Sequence, residues 1–180
     1  MNTHKLLSTK ERIKILRYVL YKKEHLSVNR IANELRLSKG LVSKFFDILT
    51  KEGIIKRKKN EFLIQNNLKT KAIKILLNLD SFDTKIFDKY KFVKSAGLYG
   101  SFVKGENTQD SDIDLWVFIE KTKDEYLSKL TNELKRKYNN IKPLYLTKEK
   151  LKILKKEDAI FYCSLIFGSI TIYGEKIETI

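Results

Sequence analysis

One cysteine, one proline and two histidines in 180 residues put several kinds of protein out of reach. Cys163 alone closes no internal disulfide, so the chain is not a stapled secreted scaffold. His4 and His25 are too few and too far apart in sequence to form a transition-metal site. No Pro-rich or Gly-rich stretch marks a flexible linker. Long apolar runs are missing too. The uncharged segment from Ala159 to Tyr173 is shorter than the roughly 18 residues of a bilayer span, and Ser164, Gly168, Ser169 and Thr171 interrupt it. The opening MNTHKLLSTKERIK carries charges where a secretory signal needs an apolar core. The expectation is a cytoplasmic protein with no membrane partner. What is present is 42% hydrophobic residues, ample for packed cores in one ordinary domain or two small ones.

The net charge of +15 is unevenly spread. Residues 1–79 hold 19 Lys+Arg against 6 Asp+Glu, a net +13, whereas residues 80–180 hold 18 against 16, a net +2. A solvated charge-rich surface is one reading of such a bias; an asymmetry of this size points to a half that meets a polyanion.

The basic half has a recognisable order of elements. In KERIKILRYVLYK, Ile13, Leu16, Val19 and Leu20 fall on one stripe at helical spacing. Ser27 is placed to cap a short helix carrying Ile31, Ala32 and Leu35, and Ser38 to cap another carrying Leu41, Val42, Phe45 and Leu49. The two meet at Arg36-Leu37. Gly53 ends the second, and Ile54-Ile55, the basic turn KRKKN and EFLIQ read as a hairpin. Three helices and a hairpin make a winged helix-turn-helix. The first 65 or so residues resemble the winged-helix domains of archaeal and bacterial transcription regulators. That resemblance makes Ser38–Leu49 the recognition helix, with Ser38, Lys39, Ser43 and Lys44 approaching a major groove and Lys56, Arg57, Lys58 and Lys59 of the wing on phosphates. DNA is the expected partner, with a protein-docking module as the alternative use of the fold, and a homodimer is expected because such regulators pair to read two half-sites.

Beyond the wing, LKTKAIKILLNL predicts an amphipathic helix with Ala72, Ile73, Leu76 and Leu77 on its apolar side. The stretch that carries chemistry is GLYGSFVKGENTQDSDIDLWVF, residues 97–118. SAGLY reads as a buried strand turning at Gly100-Ser101 into a helix, where a glycine lets a phosphate approach the main chain and a serine offers its hydroxyl and free N–H groups. In SDIDLWVFI, strand alternation places Asp112 and Asp114 on one face, a pair of hard oxygen donors suited to magnesium. Each piece alone is commonplace; Gly-Ser, ten residues, then Asp-x-Asp is specific.

This pattern resembles the DNA polymerase beta-like nucleotidyltransferases, in particular the minimal prokaryotic members often found beside a toxin partner. The expected architecture is α+β: an N-terminal winged helix-turn-helix over 1–66, a helical connector over 67–90 and a small α/β nucleotidyltransferase domain over 91–180. The resemblance implies that Gly100 and Ser101, with Lys104 nearby, hold the triphosphate of ATP or another NTP. It implies that Asp112 and Asp114 bind Mg2+ and serve catalysis, and that AMP passes to a protein or nucleic-acid acceptor, a toxin partner among the candidates. Most active members of the family carry a third carboxylate on a later strand. The strand expected here, IKPLYL over Ile141–Leu146, contains no acid, and Glu149 falls in what reads as the next helix. The alternative is therefore a DNA-binding transcription regulator whose nucleotidyltransferase domain is catalytically inactive. The tail reads as a buried helix through Phe167, a break at Gly168 and a last strand Ile170–Tyr173; Cys163 reads as a core residue, and Tyr162 and Tyr173 as core residues with stacking on a base as the alternative.

Overall fold

The computed structural model describes residues 2–22, 26–59 and 61–177. His25 and the wing residue Asn60 lie outside the described residues. The chain divides into two compact units, residues 1–77 and 78–180.

The first unit opens with a helix that sequence periodicity alone did not announce, α1 (Thr3–Leu7), which contributes the fully buried Leu6. It is tied to α2 (Lys10–Tyr21) by Arg12, whose guanidinium donates to the Lys5 carbonyl at 2.8 Å and the Ser8 hydroxyl at 2.9 Å. The buried stripe of α2 is Ile15, Leu16, Val19 and Leu20, with Ile13 only partly covered. Ser27 and Ser38 do cap α3 (Val28–Leu35) and α4 (Lys39–Lys51), each accepting from the amide three residues on, Arg30 and Leu41 respectively. Between them Arg36 adopts a left-handed conformation, φ 55°, and its N–H closes the end of α3 on the Ala32 and Asn33 carbonyls. The turn of the helix-turn-helix is thus the three residues Arg36–Ser38, opened by one left-handed residue and closed by the Ser38 cap.

Gly53, φ 73°, follows α4 and leads into the wing, β1 (Ile55–Lys58) paired antiparallel with β2 (Glu61–Ile64). Three of the four basic wing residues, Lys56, Arg57 and Lys58, lie within β1 itself rather than in the turn. Leu26 bridges Phe62 through both backbone bonds, pinning the wing to the entry of α3. One core joins Leu6, Leu16, Ile31, Phe45, Phe46 and Ile55 with their neighbours.

Helix α5 (Leu68–Asp80) starts at Asn67, which accepts from Thr70 N–H and donates to the Gly53 carbonyl at 2.7 Å. Its buried face is Thr70, Ile73, Lys74, Leu77 and Asn78. Ala72 and Leu76, expected on the apolar side, are exposed. The stripe is rotated toward Lys74, which packs on Tyr21: its backbone carbonyl accepts from the Tyr21 hydroxyl, and its ammonium lies over the Tyr21 ring.

The second unit is built on a four-stranded sheet in the order β5-β4-β3-β6, formed by β3 (Val93–Tyr99), β4 (Ile113–Ile119), β5 (Ile141–Leu146) and β6 (Ile170–Gly174). Strands β3–β4 and β3–β6 run antiparallel; β4–β5 run parallel, with the crossover made by α7 (Asp124–Lys137) after the short α6 (Ser101–Lys104). A 3-10 helix, Thr84–Lys89, capped by Asp83, buries Ile86 and Phe87. Alternation along β4 splits its buried residues between two cores. Leu115, Val117 and Ile119 pack with α7 residues Leu130 and Leu134, and Trp116 and Phe118 pack with Leu146 and Leu165.

The tail keeps the expected helix, the break at Gly168 and the last strand, and departs from expectation in burial. It forms two helices, α8 (Lys148–Glu157) and α9 (Ala159–Gly168), divided at Asp158, which caps α9 by accepting from Phe161 N–H at 2.9 Å. Far from being buried, α9 hides only Leu165; Ile160 and Phe167 are 86% and 81% exposed and Cys163 is exposed as well. An all-apolar helix has no periodicity from which a covered face can be read.

Candidate nucleotide site and nucleic-acid interface

The ten-residue spacing of the motif acquires its meaning from the sheet. Because β3 and β4 are antiparallel neighbours, the chain leaves at the end of β3 and returns at the start of β4, with Tyr99 opposite Asp114. The excursion between them is α6, a left-handed Gly105 cap and a polar turn. Ten residues are what this excursion takes, so Gly100-Ser101 and Asp112-x-Asp114 end up side by side.

Their contact is intimate. Gly100 has φ 69° and ψ −143°, and a Cβ built there would lie 2.3 Å from Asp114 Oδ2. Only a glycine supplies both the backbone angle and the room. The polar turn is held from beneath by a buried amide pair: Asn78 donates to the Phe102 carbonyl at 2.7 Å and to Asn107 Oδ1 at 3.0 Å, and Asn107 donates back to Asn78 Oδ1 at 3.2 Å. Thr108 N–H donates to the Ser111 hydroxyl at 2.9 Å, closing the turn just ahead of Asp112.

The two carboxylates differ. Burial first, and the charge of Asp112 second, push the Asp114 carboxyl above its usual range, with Lys142 pulling the other way. Asp112 is paired: Lys142 Nζ stands 2.6 Å from its Oδ2, and the hydrogen bond to Asp112, followed by its charge, raises the Lys142 ammonium. Lys142 belongs to β5, directly beside Asp114 in the parallel register. Where the sequence left a strand without an acid, the structure puts a base against the first carboxylate. Glu149 does not compensate, because it sits exposed in the first turn of α8 and lines a separate cavity of about 850 Å³ with Lys94, Phe118 and Glu120, toward the other end of β4. That cavity is larger than the one beside the motif, yet it contains none of the motif residues.

A cavity of about 640 Å³ adjoins Gly100, lined by Tyr99, Lys104, Phe161, Cys163 and Phe167 among others. Lys104 thus lies with Gly100, as expected. Tyr99 and Phe161 meet edge to face there, 6.0 Å between centroids. Tyr173 instead leans on Phe87 on the other side of the sheet, as a core residue.

As for a metal, Asp112 and Asp114 supply hard oxygen donors of the type magnesium takes when substrate phosphates and water complete its shell. Among the described residues no group of three or more His, Cys, Asp or Glu side chains is placed to hold a metal ion by itself. The donor set fits one ion shared with a triphosphate.

In the first unit, Ser38, Lys39, Ser43 and Lys44 are exposed along α4, and Lys56, Arg57, Lys58 and Lys59 are exposed on the wing. The side of α4 that they leave is filled by Val42, Phe45, Phe46 and Leu49. This is the disposition in which a helix offers polar residues to a groove while its apolar side stays in the core.

Sequence reasoning did not find Lys142, the Asn78–Asn107 pair or the cavity against α9. The first had no local signal, since 30 residues separate Asp112 from Lys142. Asn107 sits in GENTQDSD, where a polar residue reads as solvated turn.

Comparison with known families agrees with this layout. Residues 9–57 match the family model described as "Bacterial regulatory protein, arsR family", which supports a helix-turn-helix of the DNA-binding type. No curated protein matches the chain. No helix among the described residues is long and apolar enough to cross a membrane. Residues 84–178, just over half of the chain, match the model described as "Polymerase beta, Nucleotidyltransferase", and the chain belongs to that family.

Proposed function

We propose that the protein is a nucleotidyltransferase joined to a DNA-binding winged helix, transferring AMP from ATP to a hydroxyl of a protein or nucleic-acid acceptor. The observation that carries this reading is the seat of Gly100 on the Asp114 carboxylate, which sets bare backbone for a phosphate directly beside a carboxylate for a metal ion. Gly100 and Ser101 bind the triphosphate from the backbone side, and Lys104 adds positive charge from the end of α6. The cavity walled by Tyr99 and Phe161 receives the base. Magnesium bound by Asp112 and Asp114 would supply neutralisation of the triphosphate charge. The acceptor oxygen bonds to the α-phosphorus, the bond to the β-phosphate oxygen breaks, pyrophosphate leaves, and the hydroxyl proton passes to water.

A second reading has its own observation. The Lys142–Asp112 pair takes one of the two carboxylates out of play, and β5 offers no acid to an attacking hydroxyl. A protein that binds nucleotide without consuming it, and regulates through DNA, is the function this pair favours. Loss of a general base costs a factor of about 10² to 10⁴ in rate.

Label transfer separates the two. The full-length protein is incubated with α-labelled ATP, magnesium and cell extract, beside Asp112→Ala. Label on a discrete macromolecule with the wild type alone supports the transferase. Absence of transfer from any of the four nucleotides, with DNA binding intact, sinks it in favour of the silent regulator.

A further inference from the structure

We propose that Lys142 is an internal counter-ion occupying the place of a second divalent cation, so that this domain holds one metal ion with its nucleotide rather than two. The inference rests on the reading of the Gly100/Asp112/Asp114 site given above and concerns how many charges that site needs from outside.

The sheet leaves little freedom in the matter. β5 is the parallel neighbour of β4, and its residues pair Lys142 with Asp114 and Leu144 with Trp116. Side chains alternate across a strand, so the residues of β5 on the carboxylate face are Lys142 and then Leu144. Leu144 packs in the apolar cluster around Trp116 and Phe118, well past the carboxylates. Lys142 is thus the one position from which this strand reaches Asp112, and it delivers an ammonium 2.6 Å from Oδ2. Its side chain is 66% exposed and that of Asp112 is 44% exposed, so the pair is open to arriving solutes.

An ammonium and a divalent ion compete for the same carboxylate oxygens and repel one another when both are close. Asp114 lies against Gly100, and Lys142 acts on it only by charge while hydrogen-bonding Asp112, so Asp114 anchors the first ion with help from triphosphate oxygens. A second ion would need Asp112 stripped of Lys142 and a further acid that β5 lacks. One divalent ion plus one lysine then balance the two carboxylates and part of the triphosphate. Lys142 acts through Asp112 and is a positioning residue, setting the stoichiometry and affinity of metal binding.

The test counts ions rather than turnover. Free Mn2+ is followed by electron paramagnetic resonance while the full-length protein, saturated with a non-hydrolysable ATP analogue, is titrated with Mn2+. The set is the wild type, Lys142→Arg, Lys142→Met and Lys142→Glu; the exposure of Lys142 makes all three variants compatible with folding, checked by the fluorescence of buried Trp116. The expected result is one Mn2+ per chain for the wild type and Lys142→Arg, one bound about two- to fivefold more tightly for Lys142→Met, as an exposed ion pair allows, and two for Lys142→Glu. Two ions on the wild type, or binding by Lys142→Met and Lys142→Glu indistinguishable from the wild type, overturns the role of Lys142 while leaving the nucleotide site standing. No Mn2+ on any of the four proteins refutes the site itself and the proposal with it.

Discussion

Replacing Gly100 by alanine separates backbone strain from site chemistry. Two terms follow from the geometry. A non-glycine residue at φ 69°, ψ −143° occupies a region that L side chains avoid, at a cost of about 1–3 kcal/mol. The new Cβ also lands 2.3 Å from Asp114 Oδ2 and 3.2 Å from its Cγ, so the carboxylate must turn aside. That carboxylate is the end of a partly exposed side chain and yields without disturbing the core, which keeps the stability cost near the strain term alone. For a unit of roughly 100 residues, each 1 kcal/mol lowers Tm by about 4–8 °C, so a fall of about 4–24 °C is expected by differential scanning calorimetry. Binding of manganese with an ATP analogue should fall far more than stability does if the displaced carboxylate is the ligand proposed above. Gly97→Ala is the control: its Cβ meets the Trp116 ring at 2.4 Å, an overpacked core costing about 1–3 kcal/mol, with the carboxylates untouched. In an Asp114→Ala background the clash at position 100 disappears and the strain remains. Gly100→Ala with wild-type Tm and wild-type metal binding would refute the reasoning outright.

Three further outcomes are expected. Changing Lys56, Arg57, Lys58 and Lys59 together to alanine should flatten the salt dependence of DNA binding, by about 0.9 in log–log slope for each phosphate no longer neutralised, as read by fluorescence anisotropy across a potassium chloride series; an unchanged slope removes the wing from the interface. Asn107→Ala leaves the buried Asn78 amide without one partner and the polar turn without its anchor, a loss of about 1–3 kcal/mol by urea unfolding followed at Trp116, with Thr108→Ala as a milder comparison. Burial, then the hydrogen bond to Glu133, pushes the Tyr90 hydroxyl up to about 12. The folded chain keeps that proton where the unfolded chain has released it, so this contribution is complete below pH 10 and is lost as pH rises through about 12; Tyr90→Phe should flatten stability across that window, and an unaltered alkaline profile counts against it.

Much of the first unit was legible because its signals are local. Ser27, Ser38 and Gly53 act within four residues of themselves, and the structure uses each as its chemistry predicts. The face of α5 differs from the apolar pattern because burial there takes in Thr70, Lys74 and Asn78, of which Lys74 lies over the Tyr21 ring and Asn78 bonds Asn107 and the Phe102 carbonyl. The fate of α9 was illegible for the opposite reason: AIFYCSLIFG is apolar on every side, and nothing in it marks which side the sheet will cover.

The sequence by itself determined that a glycine turn and two carboxylates belong together, since Gly-Ser and Asp-x-Asp at ten residues admit a strand, a short helical excursion and a returning antiparallel strand. Only the tertiary structure decided what else stands at that point. Lys142 reaches Asp112 through the parallel pairing of β4 with β5, across a crossover helix, and register between distant strands is a property of the packed sheet rather than of either strand alone. The same sheet turns the apolar α9 into a wall beside Gly100. Charge balance at the site is thus set by long-range packing, while the site's existence is written in one local motif.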